Sequence, residues 1–499
     1  MSLISISNLT FAYESSYDNI FEDVSFQIDT DWKLGFTGRN GRGKTTFLNL
    51  LLGKYEYRGK ISASVMFEYF PYEVRDKNAN VRDAVKNICP AYREWELLRE
   101  LSLLDVNEDV LSRPFDTLSN GEQTKTLLAA LFMNENRFLL IDEPTNHLDM
   151  QGRAKVSAYL SGKKGYILVS HDRAFIDGCV DHILSINRAN IEVQKGNFSS
   201  WFHNKQLRDD FEIAENKKLK RDIKQLEAAA RQSAEWADRV ETAKMGKGAV
   251  KVRKKGHANI DTMAYYGEKS RRMQQRKKNL EHRQQSAINE KSKLLKNIER
   301  SDSLKVIQLP YHASAYVTMR DVSIFYPDKC VCRNINVEVE RGDRIAVCGR
   351  NGSGKTSILK LICGESVSYT GTLTVGSGLR ISYVSQDTSF LGGNLTDYAI
   401  DNDIDESLFK AILRKLDFSR VQFDKDMKDF SGGQKKKVLI AKSLCEKSHF
   451  LIWDEPLNFI DVISRVQIEE LLLEHEPTIL FVEHDSVFCE KVATKRLMV

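Results

Sequence analysis

The sequence predicts an α/β protein in which two domains of the same architecture flank a long helical linker. Two observations predict the paired domains: an ordered set of motifs occurs twice, and short apolar segments typical of buried parallel strands precede motifs in both copies. A third predicts the linker, because residues 201–300 are highly charged and show no strand pattern. We therefore expect domains at 1–200 and 305–499, with a linker at 201–304.

Each predicted domain carries a glycine-rich loop between an apolar strand and a helix-like run. The loops fit the pattern G-x-x-x-x-G-K-[ST], in which main-chain amides wrap phosphates at a helix N-terminus, the lysine reaches the terminal phosphates and the hydroxyl binds Mg²⁺. The candidate phosphate-binding residues are Gly38, Asn40, Gly41, Gly43, Lys44, Thr45 and Thr46 in the first domain, and Gly349, Asn351, Gly352, Gly354, Lys355, Thr356 and Ser357 in the second.

Acidic pairs follow further on, each at the end of an apolar run. These pairs are Asp142-Glu143 and Asp454-Glu455. Parallel sheets bind ligands at the carboxyl ends of their strands, where the aspartate can order Mg²⁺ and the glutamate can polarise an attacking water. A strand that merely ends at a turn would not require two acids at matching positions.

The order of the motifs indicates an internal duplication. The offset between the two halves is 311 residues for the loop lysines, 312 for the aspartates and 313 for His171 and His484, which follow another apolar strand. Between the loop and the acidic pair, each half contains a serine–glycine segment before a helix-like run, with Ser119 and Gly121 in one and Ser431 and Gly433 in the other.

The middle of the chain concentrates the positive charge. Residues 201–300 hold 26 lysines and arginines against 14 acids, a net charge of +12, whereas the whole chain carries only +5. Apolar residues spaced four and three apart run from Leu219 to Val240, and a seven-residue repeat runs from Met273 to Leu294. We expect two antiparallel helices in a coiled coil, about 65 and about 50 Å long at 1.5 Å per residue.

A tip loop at about 244–266 is expected between these helices, because three glycines interrupt the pattern. Residues 244–256 contain six basic residues and no acid, a density that suits a run of phosphates. A solvated spacer is the alternative, but the length of the loop favours a functional segment. The candidate RNA-binding residues are Lys244, Lys247, Lys251, Arg253, Lys254 and Lys255.

Composition excludes several other classes. The N-terminus has no basic segment followed by an apolar one, so no secretory signal is expected, and no apolar stretch approaches the 18 residues of a membrane span. The eight cysteines include no C-x-x-C pair, which argues against a metal or disulfide framework. These features favour a cytoplasmic protein.

In this order the motifs resemble those of ATP-binding cassettes, in which His171 and His484 correspond to the switch histidine and the serine–glycine segments to the signature. Two cassettes joined by about a hundred helical residues resemble the ABC-F proteins. Within these, segments such as Trp95-Glu-Leu-Leu-Arg-Glu-Leu and Ser170-His-Asp-Arg-Ala-Phe175 are similar to the Lsa/Vga-like group of antibiotic-resistance proteins. Tyr13 and Tyr326 match the aromatic that stacks on adenine in the family, although either could instead pack a strand.

The resemblance implies a monomer that closes as a head-to-tail sandwich with two composite ATP sites. Site one would join the first phosphate loop to the second signature, and site two the second loop to the first signature. The catalytic residues would be Glu143, Glu455, His171 and His484; the Mg²⁺ ligands would be Thr45, Asp142, Thr356, Gln386 and Asp454; Ser119, Gly121, Ser431 and Gly433 would contact the γ-phosphate.

The resemblance also implies a function. An ATP-hydrolysing protein of this group binds the E site of the bacterial ribosome, contacts ribosomal RNA and P-site tRNA, and makes lincosamides, streptogramin A or pleuromutilins leave the peptidyl-transferase centre. The sequence leaves three alternatives open: a housekeeping ABC-F translation factor, the ATPase of an exporter, and a DNA-repair or tethering ATPase.

Four residues depart from the family pattern. Tyr72 stands where a glutamine is expected, with Gln386 in its place in the second half; Asn120 replaces a signature glycine; Phe459 and Ile460 replace a His-Leu pair. A phenol cannot offer Mg²⁺ the carbonyl oxygen of a carboxamide. We therefore expect unequal hydrolysis at the two sites.

Overall fold

The computed structural model describes residues 2–13, 19–146, 148–187, 190–246, 308–326, 329–350 and 352–499. Met1–Trp201 and Ser301–Val499 form one compact unit, and Phe202–Arg300 forms a second one. The compact unit contains two α/β domains, which we call the first and the second domain.

The first domain begins with strands and alternates strands with helices after its phosphate loop. Its elements are β1 Leu3–Phe11, β2 Phe21–Asp29, β3 Lys33–Thr37, α1 Lys44–Leu51, β4 Arg58–Ser62, β5 Met66–Phe70, α2 Val81–Ile88, α3 Glu94–Leu103, α4 Asn120–Phe132, β6 Arg137–Asp142, α5 Met150–Ser161, β7 Tyr166–Val169, α6 Arg173–Cys179, β8 His182–Asn187 and β9 Asn190–Lys195, with 3₁₀ turns at Glu108–Ser112 and Phe115–Thr117.

The second domain repeats this succession. Its elements are β10 Ala315–Tyr326, β11 Lys329–Glu340, β12 Arg344–Cys348, α8 Lys355–Ile362, β13 Ser368–Val375, β14 Ile381–Val384, α9 Leu395–Asp401, α10 Glu406–Lys415, α11 Arg420–Phe423, α12 Gly432–Cys445, β15 Phe450–Asp454, α13 Val462–His475, β16 Ile479–Val482, α14 Ser486–Val492 and β17 Lys495–Met498, with a 3₁₀ turn at Met427–Asp429.

The sheets of the two domains share one strand order. A six-stranded sheet β5-β6-β7-β3-β8-β9 in the first domain corresponds to the five-stranded sheet β14-β15-β16-β12-β17 in the second, and only β9 runs antiparallel to its neighbour. Each domain adds a three-stranded antiparallel sheet, β2-β1-β4 or β11-β10-β13. The common order confirms the duplication that the motif offsets predict.

The central strands are apolar on both faces because helices or the second sheet cover them. Every residue of β7 and of β16 is buried, and so is every residue of β15. Such strands offer polar groups only at their ends. The acidic pairs therefore emerge where β6 and β15 end, beside the phosphate loops that follow β3 and β12.

The linker begins with one long helix. Helix α7 runs from Phe198 to Gly246, 49 residues or about 74 Å at 1.5 Å per residue, and contains the predicted repeat from Leu219 to Val240. Helix α7 continues through Gly246, and the tip predicted at about 244–266 stays a prediction. Leu207 and Phe211 lie exposed on it.

The remaining linker predictions concern residues 247–307, which lie outside the described residues. These include the second helix of the predicted coiled coil and the basic residues Lys247, Lys251, Arg253, Lys254 and Lys255. The backbone of Lys244 belongs to helix α7. The coiled coil and the RNA-binding tip stay predictions. Among the described residues, no helix combines the length and hydropathy needed to cross a bilayer.

Candidate nucleotide-binding sites

Each phosphate loop is wrapped around its own lysine. The Lys44 ammonium donates to the main-chain oxygens of Gly38 and Arg39 at 2.6 and 3.2 Å, and Lys355 donates to those of Gly349 and Arg350 at 3.0 and 2.9 Å. Burial lowers the pKa of both lysines, and the neighbouring carboxylates oppose that shift. Each ammonium therefore lies at the centre of its loop, in position to contact a bound phosphate.

The glycine before each lysine is required by its conformation. Gly43 has φ 95° and Gly354 has φ 96°, in the left-handed region that side chains rarely adopt. A Cβ at these positions would lie 2.5 Å from Ile20 or 2.8 Å from Val331. Each glycine caps the helix that follows, α1 or α8, so the loop amides point toward the site.

The aromatic candidates for base stacking lie beside these helices. The Tyr13 hydroxyl is 2.8 Å from Thr46 Oγ1, and the Tyr326 hydroxyl is 3.2 Å from Ser357 Oγ, so both rings sit next to their phosphate loops. Their exposed fractions, 38% and 46%, leave ring surface open to a ligand. The predicted Asn351 lies outside the described residues.

The two aspartates at the strand ends have different surroundings. Asp142 Oδ2 accepts from the Tyr69 hydroxyl at 3.0 Å and from Thr45 Oγ1 at 3.3 Å. Both carboxylate oxygens of Asp454 are buried and accept no hydrogen bond of ordinary geometry from the described residues, although the hydroxyls of Thr356 and Tyr383 lie beside them. Burial raises the pKa of each aspartate, and Thr356 opposes this rise at Asp454. A buried carboxylate with unused lone pairs next to a threonine hydroxyl fits a divalent cation.

The following glutamates each face a switch histidine. Glu143 Oε1 lies 3.3 Å from His171 Nε2, and Glu455 Oε1 lies 3.5 Å from His484 Nε2. Both glutamates have positive φ angles, 50° and 47°, which turn the chain away from the strand. The predicted catalytic pairs are thus brought together in both domains.

The environments of the glutamates nevertheless differ. Gln386 Nε2 and Asn458 Nδ2 donate to Glu455 Oε2 at 2.9 and 2.6 Å. Burial acts to raise the pKa of Glu455, but the hydrogen bond and charge of His484 bring it below its usual range. Burial and the neighbouring Asp142 raise the pKa of Glu143 to about 8. Glu455 is therefore an ionised hydrogen-bond acceptor at neutral pH, whereas Glu143 favours its neutral form.

Sequence reasoning missed a tyrosine in the first site. Tyr72 follows β5 by two residues, as Gln386 follows β14, so the predicted correspondence of these positions agrees with the strands. The hydroxyl that reaches the aspartate belongs instead to Tyr69, within β5. Its counterpart Tyr383 stands at the same register position in β14. The sequence signal that could have identified Tyr69 is the occurrence of a tyrosine at the same position in both halves.

The signature serines begin helices. Ser119 Oγ accepts from the Glu122 amide at 3.2 Å, while the Glu122 carboxylate accepts from the Ser119 amide at 2.8 Å. Ser431 and Gln434 form the same reciprocal pair at the start of α12. These capping boxes fix the N-termini of α4 and α12, whose free amides suit an anion.

Site two is an open cavity between the domains. It has a volume of about 700 Å³ and holds both the second phosphate loop and the first signature. Its lining includes the predicted residues Ser119, Gly121, Gly352, Gly354, Lys355, Thr356, Ser357, Gln386, Glu455 and His484. The lining also contains Arg153, Asn146 and Asn458, which the motif analysis did not single out.

Site one is closed by a direct contact. Asn40 Nδ2, in the first phosphate loop, donates to the main-chain oxygen of Phe459 in the second domain at 2.8 Å. A Cβ on Gly433 would overlap that same oxygen and lie 3.2 Å from Asn40 Nδ2. The loop of one domain and the signature of the other thus meet at Phe459, whose φ of 63° is unusual for an aromatic residue.

Charged side chains join the domains elsewhere. Arg173 donates to Glu469 at 2.7 Å and lies 3.8 Å from Asp485, and all three side chains are buried. Arg39 pairs with Asp417 across the same boundary. Polar groups thus join the two domains at these positions, and the arrangement brings together the loop and signature residues that the family resemblance implied for two composite sites.

Comparisons with known proteins agree with this geometry. The family profile described as "ABC transporter" matches residues 21–146 and 332–458. The ribosome protection protein VmlR of Bacillus subtilis (strain 168) is 26% identical over 511 residues, covering 100% of this chain and 86% of that protein. ABC transporter F family member 2 of Arabidopsis thaliana is 24% identical over 554 residues, covering 99% and 76%.

Solved structures show the same fold. The archaeal ribosome recycling factor aABCE1, solved in complex with the ribosomal stalk protein aP1, matches with a TM-score of 0.62 at 18% identity, covering 98% of this chain and 87% of that one. The paired loops, strand-end carboxylates and signatures are thus found where the family profile matches. The chain belongs to the ABC transporter family, and its two domains are ATP-hydrolysing cassettes in tandem.

Proposed function

We propose that this ATPase is an ABC-F protein of the Lsa/Vga-like type, which binds the bacterial ribosome in the cytoplasm and protects it from antibiotics of the peptidyl-transferase centre. The observation that carries the proposal is the match to the ribosome protection protein VmlR, which extends over 100% of this chain, including the linker. A match confined to the cassettes would support only ATP hydrolysis.

The charge of the linker supports an RNA partner. Residues 201–300 carry a net charge of +12, while the chain as a whole carries +5. Basic groups at this density bind phosphates by releasing counterions, which makes the binding strong and sensitive to salt. The candidate RNA-contacting residues remain the six basic residues of 244–256. In this proposal they belong to the part of the linker that lies nearest to the bound drug.

The cassettes supply a switch for that binding. ATP in the two composite sites joins each phosphate loop to the opposite signature, and hydrolysis releases them. Thr45 and Asp142 in one site, and Thr356, Gln386 and Asp454 in the other, would hold Mg²⁺, which would supply positive charge to the phosphates. Glu455, fixed by Gln386 and Asn458, orients the attacking water, and His484 beside it contacts the terminal phosphate.

In the proposed cycle the ATP-bound sandwich occupies the ribosomal E site. The linker then extends toward the peptidyl-transferase centre, shifts the P-site tRNA and makes a bound lincosamide, streptogramin A or pleuromutilin leave. Hydrolysis opens the sandwich and frees the ribosome. The cross-domain contacts of site one support the closed state, because Asn40 and Phe459 can bond only when the cassettes meet.

A housekeeping translation factor is the second candidate. The ATP-binding protein Uup of Buchnera aphidicola (subsp. Acyrthosiphon pisum, strain APS) is also 26% identical, over 521 residues, covering 99% of this chain and 80% of that protein. Both candidates use the same ATPase chemistry. They differ in whether loss of the protein changes drug susceptibility.

The test uses the full chain with Glu143→Gln and Glu455→Gln, which should trap ATP. We expect it to co-sediment with bacterial 70S ribosomes when ATP is present and not when ADP replaces it. A variant with the six basic residues of 244–256 changed to glutamine should lose this binding while keeping its ATP-dependent closure. A closed sandwich that stays at the top of the gradient would reject both ABC-F candidates and favour an exporter or DNA-bound ATPase.

Drug susceptibility then separates the two ribosomal candidates. Expression of the wild-type chain in a sensitive bacterium should raise the inhibitory concentration of a lincosamide or a pleuromutilin, and leave that of an aminoglycoside unchanged. The glutamine-tip variant, expressed at the same level, is the matched control and should give no protection. Ribosome binding without any change in susceptibility would favour the housekeeping factor.

A further inference from the structure

Two buried charged residues behind site two have no charged counterparts in the first cassette. Lys436 lies five residues after the signature Ser431, where the first cassette has Thr124 after Ser119. Glu483 precedes the switch His484, where the first cassette has Ser170. Lys436 and Glu483 are only 2% and 4% exposed. Unpaired charges at such depth cost several kcal/mol, so their presence calls for specific partners.

Glu483 binds two main-chain amides. Its Oε1 accepts from the Leu457 amide at 2.6 Å, and its Oε2 accepts from the His484 amide at 3.0 Å. Leu457 lies two residues after Glu455, on the segment that leaves β15. One carboxylate therefore fixes the backbone beside the glutamate and the backbone of the histidine that faces it.

Lys436 binds two main-chain oxygens on the other side of the same site. Its ammonium donates to Ser385 at 2.9 Å and to Asp454 at 3.2 Å. Ser385 immediately precedes Gln386, and Asp454 immediately precedes Glu455. The lysine therefore ties the segment that carries Gln386 to the strand end that carries the two acids.

The first cassette fills these positions with neutral groups. There the Thr145 hydroxyl and the Ser170 hydroxyl lie 3.2 Å apart, on the segments that correspond to Leu457 and Glu483. In the second cassette burial lowers the pKa of Lys436, and Glu483 is the acid that most opposes this shift. Burial raises the pKa of Glu483, and Arg465 is the cation that most opposes that rise. The two charged side chains thus act on the site through their hydrogen bonds to the main chain.

We propose that Lys436 and Glu483 are buried positioning residues that together hold Gln386, Glu455 and His484 in fixed relative positions at site two. The pair acts through four backbone groups and touches no ligand, so it sets the geometry of hydrolysis and leaves nucleotide affinity to the phosphate loop. Site one, with Thr124 and Ser170 in these positions, lacks this support. The inference rests on the ATPase activity alone and is independent of any ribosomal partner.

The test measures ATP hydrolysis at site two in a Glu143→Gln background. Lys436→Thr and Glu483→Ser install the residues of the first cassette. Each should lower kcat about tenfold or more while KM for MgATP changes less than about twofold, because the hydrogen bonds that each variant removes lie beside the reacting groups and not on the nucleotide. The combined variant should lose less than the product of the two single effects, since both charges leave together.

Lys437→Thr is the matched control. Lys437 is the next residue on α12 and is equally buried, but its ammonium donates to the Leu416 main-chain oxygen at 2.8 Å and to Asp461 at 2.9 Å, away from Gln386 and Glu455. This variant should lower the melting temperature at least as much as Lys436→Thr and change kcat at site two less than about twofold, as expected for a charge with a purely structural role.

Equal losses of kcat for the Lys436 and Lys437 variants would overturn the proposal, and so would a rise in KM without a fall in kcat. If Lys436→Thr does not fold, Glu483→Gln decides the question. That change keeps the shape and one acceptor oxygen, so kcat should fall less than for Glu483→Ser. Identical kcat for Glu483→Gln and the parent would show that the charge of Glu483 has no positioning role.

Discussion

The guanidinium of Arg153, in the first cassette, donates to the main-chain oxygen of His484, in the second, over 3.3 Å. The same nitrogen donates to Asp172 Oδ2 at 2.9 Å, and Asp172 immediately follows His171. One side chain thus connects the two switch segments. We therefore expect Arg153 to couple the positions of the two histidine-bearing segments.

We expect Arg153→Ala to lower hydrolysis at site two about tenfold, because a charge-assisted hydrogen bond contributes roughly 1.5–3 kcal/mol. The measurement is steady-state phosphate release in a Glu143→Gln background. Lys155→Ala removes a charge from the same helix, where Lys155 is exposed and lies 4.0 Å from Asp105, and should leave the rate unchanged. Equal rates for the two alanine variants would disprove the connection.

Gly433→Ala should prevent closure of site one. The added methyl group would overlap the main-chain oxygen of Phe459, so the signature helix and the first phosphate loop would have to separate. We expect at least a tenfold loss of kcat/KM in a Glu455→Gln background, where only site one hydrolyses, because displacements of about 1 Å cost on the order of 100-fold.

The adjacent glycine provides the control for that prediction. A Cβ on Gly432 would lie 3.6 Å from the Phe459 ring, an ordinary van der Waals distance. Gly432→Ala should therefore retain most of the activity at site one. A similar loss in both variants would mean that helix α12 tolerates no methyl group near its start, and the argument from overlap would fail.

Glu143→Gln and Glu455→Gln should differ in their effect on ATP turnover. Glu455 receives hydrogen bonds from Gln386 and Asn458, whereas Tyr72, at the position of Gln386, offers no carboxamide to Glu143. We expect Glu455→Gln to cause the larger loss, by about tenfold, since Glu455 is oriented and ionised whereas Glu143 favours its neutral form. Single-turnover rates at saturating MgATP provide the measurement, and indistinguishable rates for the two variants would contradict it.

Asp454→Asn should raise the melting temperature of the nucleotide-free protein in EDTA. The buried Asp454 carboxylate accepts no hydrogen bond of ordinary geometry from the described residues, and burial raises its pKa more than the nearby Thr356 and lysines lower it, so an ionised carboxylate there destabilises the nucleotide-free fold. A neutral amide relieves that cost, by about 1 kcal/mol. In exchange, the Mg²⁺ concentration that half-saturates hydrolysis at site two should increase.

Asp461 is the matched aspartate, equally buried but fully paired. It accepts from the amide and hydroxyl of Ser464, both at 2.9 Å, and from Lys437. Burial acts to raise the pKa of Asp461, but Lys437 brings it far below its usual range. Asp461→Asn should therefore lower the melting temperature, with a loss of about 3 kcal/mol. Shifts of the same sign in both variants would remove the reason for placing a cation beside Asp454.

The motifs predicted the two domains because each motif requires a particular residue type at a position with a particular backbone conformation. The loop that holds Lys44 needs a glycine at Gly43, and the strand that delivers Asp142 needs apolar residues before it, so both leave periodic or fixed-spacing signals. The pairing of loop and signature across the domains followed from the resemblance, and the cavity of site two brings those residues together.

The remaining features depend on contacts between residues far apart in the chain. Tyr69 looks like an ordinary strand residue until its hydroxyl is seen at Asp142. Arg153 and Glu469 carry no motif, because their partners come from the other cassette. The buried pair of Lys436 and Glu483 resembles two surface charges in the sequence, and only the packing of α12 against the sheet shows its depth.

The charged contact between Arg173 and Glu469 also has a consequence for synthesis. The two residues are 296 positions apart, so at roughly 5–20 residues per second about 15–60 s pass between their translation. If the first cassette folds before the second is complete, as N-terminal domains generally do, water hydrates the guanidinium of Arg173 during that interval. An apolar contact surface on the first cassette would promote aggregation during the same time. A charged group such as Arg173 at that surface instead keeps it hydrated until the second cassette has been synthesised.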